Sequence, residues 1–88
     1  MSDTDLTTDE LAAWMDEWMN RELELRVERV DRDRPFIGYG MDSIHATMLV
    51  GDLEERLGRR LSPTLTWDHP TIAALARHLT TASVAAPR

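Results

Sequence analysis

Cysteine is missing from the 88 residues, which removes disulfides, thiolate metal sites and a cysteine nucleophile together. Lysine is missing too, and all 10 basic residues are arginine, a bias we read as coding preference (a GC-rich genome) rather than mechanism. Positive charge is in short supply: 16 acidic residues against 10 basic ones leave a net charge of -6 at pH 7. A phosphate backbone is held by clustered cations, so nucleic acid is excluded as a partner, and basic or amphipathic surfaces are expected instead. No apolar run exceeds a few residues, so nothing in the sequence spans a membrane. The start, Met1-Ser2-Asp3-Thr4-Asp5, is acidic where a signal peptide is basic. A soluble, cytoplasmic chain is the expectation. What is present is an ordinary globular composition, 42% hydrophobic and 30% charged, on a length that holds one core and not two.

Four stretches carry structural signals. Thr7 and Glu10 have the spacing of a capping box, and Leu11, Trp14, Met15 and Trp18 follow at i, i+3, i+4 and i+7, predicting an amphipathic helix of about four turns whose stripe faces the core. From Leu25 the pattern loosens: Leu25, Val27 and Val30 alternate weakly with charges, and Asp31-Arg32-Asp33-Arg34-Pro35 breaks any helix. The segment to Asp42 reads as a long ordered loop with Phe36, Tyr39 and Met41 dipping into the core, and loops beyond about 12–15 residues are uncommon unless functional. Asp42-Ser43 starts a second helix in which Ile44, Thr47, Met48, Val50, Leu53 and Leu57 keep the period and Gly58 gives the stop. Gly51 inside it costs about 1 kcal/mol relative to Ala and is expected to mark close packing. After a connector with Leu61 and Leu65 inward, Thr66-Trp67-Asp68 predicts one helical turn. The last helix opens at His69-Pro70-Thr71, with Pro70 near its first position, and buries Ile72, Leu75, Ala76 and Leu79. The prediction is an all-α fold: three main helices and a short one in a small bundle with a long first connection. Residues 1–6 read as a flexible N-terminus, 7–79 as the domain, and 80–88 as a flexible tail or linker.

Enzymatic sites are hard to assemble from this inventory. His45, His69 and His78 lie on different elements of a domain too small to enclose a substrate, and His45 points away from Ser43 on a helix. Neither HExxH nor GxSxG occurs. Asp31, Asp33 and Asp42 match three positions of a calcium loop, but Pro35 and Phe36 stand where it needs an oxygen ligand and a glycine. No metal is expected.

Ser43 is different. It follows a glycine-containing turn and an acid and opens a helix, whose first-turn N–H groups form a seat for phosphate. As a bare dipeptide, Asp-Ser is simply a helix cap. Its setting is Gly40-Met41-Asp42-Ser43-Ile44, and with it the chain resembles the acyl carrier protein family, whose signature is Gly-hydrophobic-Asp-Ser-hydrophobic. The resemblance runs from about Leu11 to Leu79. Pro35-Phe36 precedes the motif at the family's distance, Leu53-Glu54-Glu55-Arg56-Leu57-Gly58 closes the second helix as the family does, and Trp67 to Ala76 contains its Asp-His-Pro-Thr segment.

The resemblance implies a right-handed four-helix bundle with a short third helix, and a 4′-phosphopantetheine arm on Ser43, loaded from coenzyme A by a phosphopantetheinyl transferase. It implies a non-catalytic carrier of acyl groups as thioesters, which explains how a thioester carrier lacks cysteine. Asp42 matches the family's acid before the serine and serves either transferase recognition or helix capping. The uncharged run from Ile44 to Gly51, with the Asp-His-Pro-Thr segment, resembles polyketide synthase carriers more than fatty-acid carriers, and the Gly-Gly-His-Ser turn of peptidyl carriers is absent. Leu49 stands where carriers of β-branching pathways have Trp, and Thr47 and Gly51 also depart from the common residues. A polyketide or hybrid pathway is expected, with ketosynthase, acyltransferase or acyl-activating ligase as partners and the isolated domain a monomer. His45, Met48, Asp52, Glu55 and Arg56 are candidate contacts, and Met41 and Ile44 flank the arm; Met48 also belongs to the core period. The competing readings are an unmodified helical docking module, or a carrier of a fatty-acid or peptidyl pathway.

Overall fold

The computed structural model describes residues 6–25 and 29–85, and the readings on 1–5, Val27 and 86–88 lie outside them. Four helices make up the fold: α1 (Thr8–Leu23), α2 (Ser43–Leu57), the single turn α3 (Leu65–Asp68) and α4 (Ile72–Ala85), with a 3-10 turn at Phe36–Tyr39. No strand occurs among the described residues. The bundle is all-α, as its periodicity predicts.

The capping box of α1 is formed: the Thr7 hydroxyl accepts the Glu10 N–H at 3.0 Å, and the Glu10 carboxylate accepts the Thr7 N–H at 2.9 Å. The buried face is rotated from the expected stripe. Leu11, Met15 and Trp18 are fully enclosed, but Ala12 and Met19 join them while Trp14 is only half-buried. A fully buried Trp must satisfy its indole N–H, and Trp18 donates to Asp52 on α2 at 2.7 Å. This bond holds α1 and α2 in register.

The buried face of α2 departs from the expected period at its first turns. Ala46, Leu49, Val50, Leu53 and Leu57 face the core, whereas Ile44 is 68% exposed, Met48 41% exposed, and Thr47 exposed with its hydroxyl donating to the Ser43 carbonyl. Both rows are apolar at this end of the helix, so periodicity cannot choose between them. Gly51 is exposed, and a Cβ there would meet nothing within 4 Å. Close packing does not explain it.

The long connection is ordered by specific bonds. Arg32 donates to Asp16 at 2.8 and 3.0 Å and to Asp9 at 2.8 Å, bonds that raise its already high pKa further. Tyr39 donates its hydroxyl proton to the Asp31 carbonyl and accepts the Asp31 N–H. Phe36 and Met41 are buried and Tyr39 half-buried, as expected. The 3-10 turn has no signal in the sequence pattern; it brings Phe36 inward and ends at Gly40, whose φ of 87° lies in the left-handed region that favours glycine.

Helix α4 begins two residues later than the Pro70 reading. Thr71 caps it, its hydroxyl accepting the Ala74 N–H at 3.1 Å, so Pro70 stands just outside and its carbonyl accepts the Phe36 N–H at 2.8 Å. That bond and the Ala73 N–H to the Arg32 carbonyl (2.9 Å) stitch the loop to the start of α4. Ile72, Leu75, Ala76 and Leu79 are buried as predicted, and Leu65 of α3 closes the core. Past Leu79 the chain expected as a tail remains helical to Ala85. At the other end, Leu6 packs against the core.

Candidate functional site

The loop, the start of α2 and the turn α3 converge on Ser43. Gly40 reverses the chain, Met41 turns into the core, and Asp42 takes an extended conformation (φ -104°, ψ -175°) that suits an N-cap. The Asp42 carboxylate accepts the His45 N–H at 2.8 Å, and its carbonyl accepts the Ala46 N–H at 2.9 Å. Of the two roles read for Asp42, capping is present in the geometry. The carboxyl is held below the usual carboxylate range, chiefly by that N–H and further by the neighbouring His45 imidazole. Ser43 is then the first residue of α2, exposed at the positive end of a helix.

A groove of about 380 Å³ opens beside the hydroxyl, walled by Phe36, Met41, Ala46, Trp67 and Pro70. Its rim is unusually apolar for surface: Ile37 is 75% exposed and Trp67 72%, with Ile44 beside Ser43. Sequence reasoning missed Ile37 and Trp67. In a one-turn helix, Leu65 and Thr66 take the inner face and leave Trp67 outside; that allocation depends on where α3 sits, which local pattern does not encode.

The other predicted residues divide. Ile44, Met48 and Glu55 are exposed on the outer side of α2, and His45 and Arg56 are half-buried. Met41 is 8% exposed, so it flanks the site from the core and not from the surface. Asp52 is half-buried and occupied by the Trp18 indole. His69 and His78 stack on each other, ring centroids 3.9 Å apart, and neither lines the groove. A larger hollow of about 720 Å³ between α1 and the Asp31–Arg32 stretch is lined by acids, Asn20, Val30 and arginines, with no serine, threonine or histidine. Among the described residues, no cluster of three His, Cys, Asp or Glu can hold a metal ion, and no helix is long and apolar enough to cross a membrane.

An exposed serine on a capped helix end, beside an apolar groove, offers a hydroxyl open to a covalent group. The family model described as "Phosphopantetheine attachment site" matches residues 13–79. The chain belongs to this family of carrier domains. The group that goes with the family is a covalently attached 4′-phosphopantetheine, and the residues here fit it: a reachable hydroxyl, helix N–H groups for a phosphodiester, and an apolar channel leading away. The carrier domain is 54% identical over 54 residues (61% of the chain) to the spectinabilin polyketide synthase system protein NorA′ of Streptomyces orinoci. It is 37% identical over 70 residues (80%) to a phenolphthiocerol/phthiocerol polyketide synthase of Mycobacterium tuberculosis. It spans only 2% and 4% of those two proteins. Among solved structures, a free-standing peptidyl carrier protein from Acinetobacter baumannii superposes with a TM-score of 0.79 at 39% identity, over 85% of this chain and 94% of that one. The carrier domain is therefore homologous to carriers of assembly-line synthases, where such domains work with pathway enzymes.

Proposed function

We propose that Ser43 is the residue that bears the arm, and that the domain is a cytoplasmic, non-catalytic carrier of acyl or polyketide intermediates. The observation that carries this is the placement of the Ser43 hydroxyl, exposed on the first turn of α2 and at the mouth of the apolar groove. In loading by a phosphopantetheinyl transferase, the Ser43 oxygen forms a bond to the phosphorus next to the pantetheine of coenzyme A. The P–O bond to the nucleotide half breaks, 3′,5′-adenosine bisphosphate leaves, and the hydroxyl proton passes to the transferase or solvent. The arm supplies the thiol on which acyl groups ride as thioesters. The chain's own residues do the rest. Asp42 caps α2 and fixes its first turn, Gly40 admits a partner close to the backbone, and the outer face of α2 gives the docking surface. Ile44 and Met48, with Ile37 and Trp67 across the groove, form its apolar centre; His45, Asp52, Glu55 and Arg56 lie along its flank. The net charge of -6 favours partners with basic rims, by steering more than by affinity.

The polyketide relatives support a polyketide or hybrid pathway, with ketosynthase, acyltransferase or acyl-activating ligase as docking partners. The peptidyl carrier neighbour, at 39% identity over nearly its whole length, favours the second reading of a peptidyl or hybrid line. Intact mass before and after incubation with coenzyme A, magnesium and a promiscuous phosphopantetheinyl transferase tests the central claim. A gain of one phosphopantetheine that Ser43→Ala abolishes, with an unchanged far-ultraviolet circular dichroism spectrum, is the expected result. A folded protein that takes no arm favours the unmodified docking module; loading of Ser43→Ala moves the attachment elsewhere.

A further inference from the structure

Loading Ser43 creates an electrostatic problem that the apo chain does not have. Asp42 is ionised and held so by its cap contact, and a phosphodiester on the next residue puts a second negative charge beside it. The partial positive charge of the helix end offsets some of this. No arginine lines the groove. His45 stands beside Asp42, the nearer of the two anions. Its Nδ1 lies 2.9 Å from the Asp42 Oδ1, an ion-pair distance once the ring is protonated, and the same Oδ1 takes the backbone N–H of His45. That Nδ1 is shielded from solvent and, among the described residues, is the buried side-chain nitrogen or oxygen left without a hydrogen-bond partner. The side chain as a whole keeps 30% of its surface exposed, so the ring can exchange protons with water. Asp42 is the charged group in contact with it. Arg21 and Glu22, in the last turn of α1, pair with each other at 3.0 Å, and the other two histidines stack together.

We propose that His45 is the counter-charge for the arm: attaching the phosphodiester to Ser43 is coupled to uptake of a proton by the His45 imidazole. The protonated ring keeps the Asp42 carboxylate on its cap and lets two anions occupy adjacent residues. This deepens the reading of Ser43 as the attachment residue and rests on it. His45 is a positioning residue, not a catalytic one. Side chains two apart on a helix diverge, so the coupling acts over several ångströms and, for charges about 5–8 Å apart in water, shifts the midpoint by roughly half a pKa unit. By linkage the same factor favours the loaded form as pH falls through the His45 midpoint.

The test is an NMR titration of the three histidine rings from about pH 5 to 8.5, a span that brackets ordinary histidine titration, on the apo protein and on protein shown by intact mass to carry the arm. His45 is expected to titrate roughly half a unit higher when loaded, with His69 and His78 unmoved. The phosphorus-31 shift of the phosphodiester should inflect at the His45 midpoint, and lose that inflection in His45→Gln. An equal or lower His45 midpoint in verified loaded protein overturns the proposal while leaving the attachment intact. Absence of the mass gain overturns the attachment reading, and the proposal falls with it.

Discussion

The Asp42 carboxylate is held in its charged form by the cap that it makes. It caps α2 through the His45 N–H, and it stands beside Ser43, the proposed point of attachment. Asp42→Ala is expected to destabilise the domain by about 0.5–2 kcal/mol, the usual range for a lost cap, with Asp42→Ser recovering most of it. Urea denaturation at pH 7 measures both. If the two variants lose loading equally while only the alanine loses stability, the carboxylate matters to the transferase apart from the cap. Gly51 is the converse case. It is exposed in mid-helix with open space where a Cβ would go, so Gly51→Ala should stabilise by up to about 1 kcal/mol, read as a higher denaturation midpoint. A lower midpoint would mean that packing around Gly51 is tighter than it looks.

At the scale of elements, the short helix α3 is held by tertiary contacts rather than by its own length. A single turn cannot sustain itself; here Leu65 is buried and His69, just past its end, stacks on His78 of α4. The pKa of His78 is lowered, first by desolvation and then by the positive potential of His69 and Arg59, with Asp68 opposing. The sign follows directly. A histidine whose folded-state pKa lies below its unfolded value of about 6.5 binds fewer protons in the native state, so stability is present above that pH and is lost as pH falls below it. Thermal midpoints are therefore expected to drop between about pH 7.5 and 5.5, and the slope should flatten in His78→Gln. An identical slope in the variant would place the acid sensitivity elsewhere. Asp42, also lowered, acts in a separate window near and below its ordinary value of 3.8. Because α3 carries Trp67 to the groove, loosening the stack should reach the site through the groove wall.

For the molecule as a whole, the core is a single cluster fed by every element, and its members are not interchangeable with the residues that share their helices. Leu75 is fully buried in the first turn of α4. Leu75→Ala should cost roughly 2–5 kcal/mol, which is much of the stability that a domain of this size possesses. Met48→Ala, at a position that keeps 41% of its surface in water, should stay within about 1 kcal/mol. Paired urea titrations make the comparison, and equal losses would mean that Met48 packs inward in solution. The distinction matters for function. Ile37, Ile44, Met48 and Trp67 turn apolar surface to water rather than to the core; Ile37 and Trp67 line the groove at Ser43, and exposed apolar surface of this kind supports the docking face proposed above.

Much of this is written locally and can be read locally. The capping box at Thr7 and Glu10, the stop at Gly58, the stripe Ile72, Leu75, Ala76 and Leu79, and the helix end that presents Ser43 all rest on interactions within a few residues, so the order of residues alone determines them. The failures share a cause. Where α2 is apolar on two rows, only the position of α1, with Trp18 reaching across to Asp52, selects Leu49 for the core and leaves Ile44 and Met48 outside. Pro70 has the local features of a helix start, but the Phe36 N–H claims its carbonyl from across the fold. Trp67 becomes part of the site because α3 docks by Leu65, turning its largest side chain outward beside a serine 24 positions earlier in the chain. Periodicity states that a helix has an apolar face; which face meets a neighbour is decided by long-range packing, and it is that choice that leaves apolar side chains exposed at this end of the molecule.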